Sequence, residues 1–255
     1  MCPRDFEIDP NPPQYEATLE QQDEILRSWR SGRITPVNKI FWSLNRELIL
    51  QMAVEHSSSE SCVLDVGCGI GEYILYLQKK GRKCIGVDPL WDTSLLRARK
   101  NAEIEGLDIH LCQSLGESLP VKSNSLDMVL CISTLQHVKD PVQTLCEIRR
   151  VLKNDGLILI SVPQTVRKST FKKMGIYTCH FNIRIINDLL TRSGFVVRDL
   201  KVCGFFPPLS REILNKMHPF VGDTVLRFSV QMLDRCVQFT PHYASSIIIL
   251  AGVKK

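Results

Sequence analysis

Three glycines at alternate positions, Gly67, Gly69 and Gly71, follow a short apolar run and precede a helical pattern. Cys62 to Val66 reads as a buried strand. Tyr73, Ile74 and Leu77 have helical spacing and begin at once. The chain must therefore pass from strand to tight turn to helix within a few residues. Gly67 and Gly69 carry no Cβ to hold a ligand away from the backbone. The first amides of a helix lack partners inside it, so such a turn can donate to a polar or anionic group. A second run, Lys83 to Asp88, reads as a strand ending in an acid about 20 residues past the glycines. That is the spacing at which an acid meets the ribose hydroxyls of a bound nucleotide.

The glycine spacing discriminates among nucleotide-like ligands. A dinucleotide fingerprint needs a third glycine three positions after the second, and Glu72 stands there. This argues against an NAD-dependent oxidoreductase. The order Asp-x-Gly-x-Gly-x-Gly, from Asp65 to Gly71, resembles motif I of the class I S-adenosylmethionine (SAM)-dependent methyltransferases. The resemblance implies that the loop (Asp65, Gly67, Gly69, Gly71) holds the amino-acid end of SAM and that Asp88 holds the ribose.

Further segments resemble the ubiquinone/menaquinone-biosynthesis (methyltransferase type 11) branch. They are Gly116-Glu117-Ser118-Leu119-Pro120 with Asn124-Ser125-Leu126-Asp127-Met128-Val129, then Ser133-Thr134-Leu135-Gln136-His137-Val138-Lys139-Asp140-Pro141, and Glu147-Ile148-Arg149-Arg150-Val151-Leu152-Lys153-Asn154-Asp155-Gly156. In that branch an acid usually precedes the Gly/Ala–Glu pair and bonds the adenine amino group. Here Leu115 replaces it, which leaves backbone groups near Leu115 and Gly116 for the adenine edge and Leu90 for a ring face. Cys131 ends a strand-like run, and the loop after it leads to the cleft. The resemblance covers about residues 60–165. It is specific for SAM binding and says little about the acceptor.

Methyl transfer to a hydroxyl or ring carbon also requires removal of a proton, and a neutral histidine is the usual base. His137, on the loop expected beside the methyl group, is the favoured catalytic residue. His180, His218 and His242 are weaker candidates. No histidine or cysteine cluster has metal-ligand spacing, so no metal site is expected. The absence of a P-loop lysine argues against phosphoryl transfer.

From residue 60 onward, strand and helix patterns alternate, which indicates an α/β domain with a mostly parallel sheet and helices on both faces. The final runs, Phe195 to Val202 and Ala244 to Val253, suggest a hairpin. With the resemblance, the expected fold is a Rossmann-like, seven-stranded class I methyltransferase sheet with an N-terminal helical lid. Expected boundaries are a tail and helix over 1–34 and a single methyltransferase domain over 35–255. Trp29, Phe41 and Trp42 are candidate lid residues. Expected helices include Ser210 to His218 and Asp223 to Val237.

Composition narrows the class. Hydrophobic content of 44% and charged content of 23% fit a globular enzyme. No apolar run is long enough to span a bilayer. The ten cysteines show no pairing signal, so a reduced, cytoplasmic chain without a structural disulfide is expected. Charge is uneven: residues 1–163 carry −4 and residues 164–255 carry +9. A basic C-terminal third suits an acidic substrate, a phosphate-bearing partner or an anionic membrane surface. The apolar stretch Phe205 to Leu209 suits a hydrophobic acceptor. The expected activity is methyl transfer from SAM to a small-molecule or lipid-like, quinone-type acceptor. A tRNA methyltransferase and a non-catalytic SAM-binding subunit remain alternatives. The sequence names neither acceptor nor oligomeric state.

Overall fold

The computed structural model describes residues 35–164, 181–204, 210–236 and 246–254. Helix α1, Pro36–Glu55, starts where Thr35 accepts a hydrogen bond from the Asn38 amide, with proline at a permitted first-turn position. Then come β1 (Cys62–Val66), α2 (Glu72–Lys79) and β2 (Lys83–Asp88). A π-helical turn, Trp91–Leu95, runs into α3 (Leu96–Glu105). β3 (His110–Gln113) and β4 (Leu126–Ile132) precede α4 (Pro141–Val151), capped by Asp140. β5 (Leu152–Pro163), α5 (Ile183–Arg192), β6 (Phe195–Cys203), α6 (Ser210–Cys236) and β7 (Ser246–Val253) complete the chain.

The strands form one seven-stranded sheet in the order β3-β2-β1-β4-β5-β7-β6. All pairings are parallel except those of β7, which runs antiparallel between β5 and β6. Strand order reverses between β1 and β4, and a parallel sheet opens its ligand crevice at the carboxyl ends of such neighbours.

Side-chain alternation divides the core into two layers. Leu64, Val66, Val129, Cys131, Ile158 and Ile160 pack with Leu145 and Ile148 of α4 and Ile186 and Leu190 of α5. Val63, Met128, Leu130 and Leu159 pack with Phe41, Ile49 and Met52 of α1 and with Ile74 and Leu77 of α2. Phe41 is buried in the cluster that covers this face of the sheet, rather than standing exposed over a cleft. Trp42, its neighbour, is 44% exposed. Trp29 lies outside the described residues.

The two helices expected near the C-terminus are present as consecutive segments of α6, separated at Gly222, whose φ of 71° and ψ of 176° are not helical. Leu226 and Val230 of α6 pack on Val37 and Ile40 of α1. The Asn154–Gly156 turn is absorbed into β5. Among the described cysteines, Cys62, Cys68, Cys84, Cys112, Cys131 and Cys203 are free, whereas Cys146 is disulfide-bonded, contrary to expectation. Pairing depends on proximity in space, which sequence spacing does not report.

Candidate functional site

Four segments distant in sequence meet at the carboxyl ends of β1, β2 and β4. The first is the glycine turn. Gly67 and Cys68 donate their amides to the Val87 carbonyl at 2.8 and 3.0 Å, folding the turn across the end of β2. A Cβ at Gly67 would lie 2.3 Å from Thr134 Oγ1, so only glycine admits the loop after β4 at this distance. Gly69 differs: its φ is +53°, but no atom stands within 4 Å of where its Cβ would be. That open space is where a ligand can approach the backbone.

Asp88 at the end of β2 is the second segment. Its Oδ2 accepts from the Gly69 amide at 3.0 Å and its Oδ1 from the Leu90 amide at 2.9 Å. Burial raises its pKa, and those two amides with the Ser94 hydroxyl pull the other way. Each carboxylate oxygen has a second lone pair, so acceptor capacity remains for a ligand hydroxyl.

The third segment follows β3. Ser114 donates its amide to the Asp88 carbonyl at 3.2 Å, which brings Leu115 beside β2. Leu115 is exposed, whereas Leu90 is buried. Gly116 is buried against β1; a Cβ there would lie 3.3 Å from Val66 Cγ1 and 3.0 Å from Thr144 Cγ2.

The loop after β4 is the fourth. Ser133 takes φ +52°, rare for a residue other than glycine, and its amide donates to the Ser161 carbonyl at 2.8 Å. The His137 amide donates to the Thr134 carbonyl at 2.8 Å. His137 Nδ1 is buried and has no partner among the described residues. Burial lowers the pKa of its ring, so the imidazole is neutral at neutral pH. Cys131 stands apart from this group: its thiol faces the α4–α5 layer, and burial pushes its pKa up to about 12.

Asp65 is the electrostatic anomaly. It points from β1 into the α1–α2 side of the sheet and is 1% exposed. Its Oδ2 has no hydrogen-bond partner among the described residues. Burial, with a smaller contribution from the Asp88 charge, pushes its pKa up to about 8. An uncompensated buried carboxylate is costly, and such groups gather where a ligand completes them.

Sequence reasoning missed three residues. Thr134 abuts Gly67. Gln136, buried, donates Nε2 to the Ser133 carbonyl at 2.8 Å, and its Oε1 has no partner among the described residues. Glu117 Oε1 accepts from the amides of Lys139 and Asp140 at 2.9 and 3.2 Å, pinning the loop that carries His137. All three lie in segments that resemble the methyltransferase branch, Glu117 in residues 116–120 and Thr134 and Gln136 in residues 133–141, and that was the available signal. Glu72, which breaks the dinucleotide spacing, pairs with Arg46 of α1. His218 sits on α6, bonded to Asp223 at 2.7 Å. His180, His242 and residues 205–209 lie outside the described residues. No group of His, Cys, Asp and Glu among the described residues is arranged to hold a metal.

Residues 64–160 match the family model described as a methyltransferase domain. That stretch is a SAM-dependent methyltransferase domain. SAM is its cofactor. Over 194 residues it is 27% identical to a probable S-adenosylmethionine-dependent methyltransferase of Mycolicibacterium smegmatis, covering 75% of this chain and 71% of that one. Over 150 residues it is 30% identical to a ubiquinone biosynthesis O-methyltransferase of Histophilus somni, covering 56% of this chain but only 61% of that relative. A SAM-dependent methyltransferase of Thermotoga maritima, described as a possible histamine N-methyltransferase, superposes with a TM-score of 0.61 at 20% identity. That match covers 95% of this chain and 100% of the other, and at this identity it speaks to the fold.

The residues present fit SAM. At Gly69 nothing occupies the Cβ position, and Asp65, enclosed on the strand that leads into the turn, has an Oδ2 with no partner among the described residues. A carboxylate in that place suits an ammonium, and Asp88 suits a diol.

Proposed function

We propose that this protein transfers the methyl group of SAM to a small-molecule or lipid-like acceptor, of quinone type, at the carboxyl ends of β1 and β4. The convergence of Gly69 and Asp88, with Asp65 Oδ2 lacking a partner among the described residues, carries the reading. The similarity to ubiquinone biosynthesis O-methyltransferases supports the acceptor class.

Bound SAM supplies a methyl already activated on a sulfonium, so the protein's work is alignment, water exclusion and proton removal. Asp65 accepts the ammonium of the amino-acid end. Asp88 accepts the ribose hydroxyls while its bonds to Gly69 and Leu90 fix its position. Leu90 covers one adenine face, and the backbone at Leu115 and Gly116 meets the adenine edge. His137, neutral and with Nδ1 unengaged among the described residues, takes the acceptor's proton at that nitrogen. Glu117 positions the loop on which it sits.

The test is incubation with methyl-labelled SAM and fractionated cell extract, with RNA, lipid and small-molecule pools separated. Label in the lipid or small-molecule pool is expected. Label confined to RNA establishes the tRNA alternative. SAM binding with no label in any pool points to a non-catalytic subunit.

A further inference from the structure

Helix α1 carries a polar residue on the stripe that faces the sheet. Phe41 and Ile49 pack there in one layer with Val63 of β1 and Leu130 of β4. Asn45 lies one turn from each of them, on the same side of the helix. It is 8% exposed, and its Oδ1 is enclosed with no hydrogen-bond partner among the described residues. A buried amide oxygen without a donor is destabilising, so its presence calls for a reason.

Two anchors fix the height of Asn45 along the sheet. The last turn of α1 is held at the start of β2, where Arg82 donates to the Val54 carbonyl at 3.0 Å. About 12 Å earlier along the helix axis, Arg46 pairs with Glu72, just past the glycine turn. The helix therefore runs back along β1, and Asn45, next to Arg46, stands level with the carboxyl end of that strand. Asp65 is the penultimate residue of β1. It enters the same layer, two residues after Val63 and opposite Leu130. Tyr73, on the first turn of α2, responds to both sides. Burial first, and then the charges of Glu72 and Asp65, raises its pKa, while Arg46 opposes. The neighbour of Asn45 and the Asp65 carboxylate thus act on one hydroxyl.

Asp65 Oδ2 is also enclosed without a partner among the described residues. Two enclosed acceptor oxygens, one on the strand and one on the helix that covers it, suit a group that only donates. An ammonium has three N–H donors and no acceptor, and the Asp65 charge favours it over a neutral amide.

We propose that Asn45 Oδ1 accepts one N–H of the SAM ammonium while Asp65 Oδ2 accepts another, so that α1 supplies one wall of the pocket for the amino-acid end. This rests on Asp65 taking the ammonium. Asn45 binds the cofactor and takes no part in the transfer itself.

The test is titration calorimetry of the full chain with SAM and with methylthioadenosine, which keeps the adenosyl group and lacks the amino-acid end. Asn45→Leu should raise the SAM dissociation constant by about tenfold to a hundredfold, the loss of one hydrogen bond to a charged group. It should leave methylthioadenosine binding unchanged. The melting temperature of the ligand-free chain should hold or rise, because an enclosed amide without a donor is removed. If leucine does not fit and the melting temperature falls, Asn45→Ala is titrated instead, with the same expectation. Unchanged SAM affinity overturns the proposal. So does an equal loss for both ligands, since Asn45 then acts through the fold. Asp65→Asn in the same assay separates the two assignments. If it weakens SAM binding and Asn45→Leu does not, only the Asn45 assignment falls. If neither weakens SAM binding, the ammonium is held elsewhere and both fall.

Discussion

The amide of Gly69 donates to Oδ2 of Asp88 at 3.0 Å, joining the glycine turn to the end of the neighbouring strand. The carboxylate expected to face a ribose is therefore also the clamp that holds the turn in shape. Binding and local stability share one side chain, so substitutions there affect both.

Asp88→Ala should raise the SAM dissociation constant by tenfold or more and lower stability by about 2–4 kcal/mol, since two amides lose a carboxylate acceptor. Asp88→Asn, which keeps one acceptor oxygen, should cost less in stability than in affinity. Titration calorimetry and thermal melting measure the two. An Asp88→Ala protein with wild-type SAM affinity would remove the ribose assignment.

The two glycines should fail differently. Gly67→Ala drives a methyl into Thr134, so it should destabilise the fold and dislodge the loop after β4. Gly69→Ala meets open space, so its stability cost is limited to the left-handed backbone, about 1–2 kcal/mol. Its larger effect should be on SAM affinity, because the added methyl occupies the approach to the turn. If the two variants lose stability equally, the open space at Gly69 has been misread.

Asp65 makes stability depend on pH. Its pKa is about 8 in the folded chain against 3.8 as reference, so the folded state holds a proton that the unfolded state releases. Its contribution is complete below pH 3.8. It is lost as pH rises toward 8, with a slope of at most about 1.4 kcal/mol per pH unit, and then levels off. Denaturant titrations across this range should show the slope, and Asp65→Asn should remove it. SAM affinity should run the opposite way, weakening as pH falls below 8, because the ammonium requires the ionised carboxylate. A pH-independent affinity would argue against that pairing.

His137→Gln should lower methyl transfer by about 10²–10⁴-fold while leaving SAM affinity unchanged. Burial lowers the pKa of this ring, so the rate should stay level through neutral pH and fall only below the usual histidine range. Loss of SAM binding together with rate would recast His137 as a residue that orders its loop. Glu117→Ala provides the comparison: it frees the amides of Lys139 and Asp140, so kcat should fall with little change in affinity.

Much of this was legible in the chain. Glycine at alternate positions between an apolar run and a helical pattern leaves few folds open, because backbone sterics act locally. The strand–helix alternation gave the parallel sheet, and Asp88 declared itself by spacing. Leu115 and Gly116 were proposed from their segment, and the bond from the Ser114 amide to the Asp88 carbonyl places that segment beside the end of β2. Alternation turns the Cys131 side chain into the α4–α5 layer, which no spacing in the sequence reports. Nor could spacing place Phe41, since an aromatic on an amphipathic helix reads the same whether it covers a ligand or a sheet.

By itself the sequence determined the order of elements, the turn that only glycine can make, and the separation of acidic from basic chain. The tertiary structure alone decided that Asp65 Oδ2 is enclosed without a partner among the described residues and that Thr134 closes on Gly67. The physical reason is that desolvation and close approach depend on neighbours brought from other strands, and no local pattern encodes their distance.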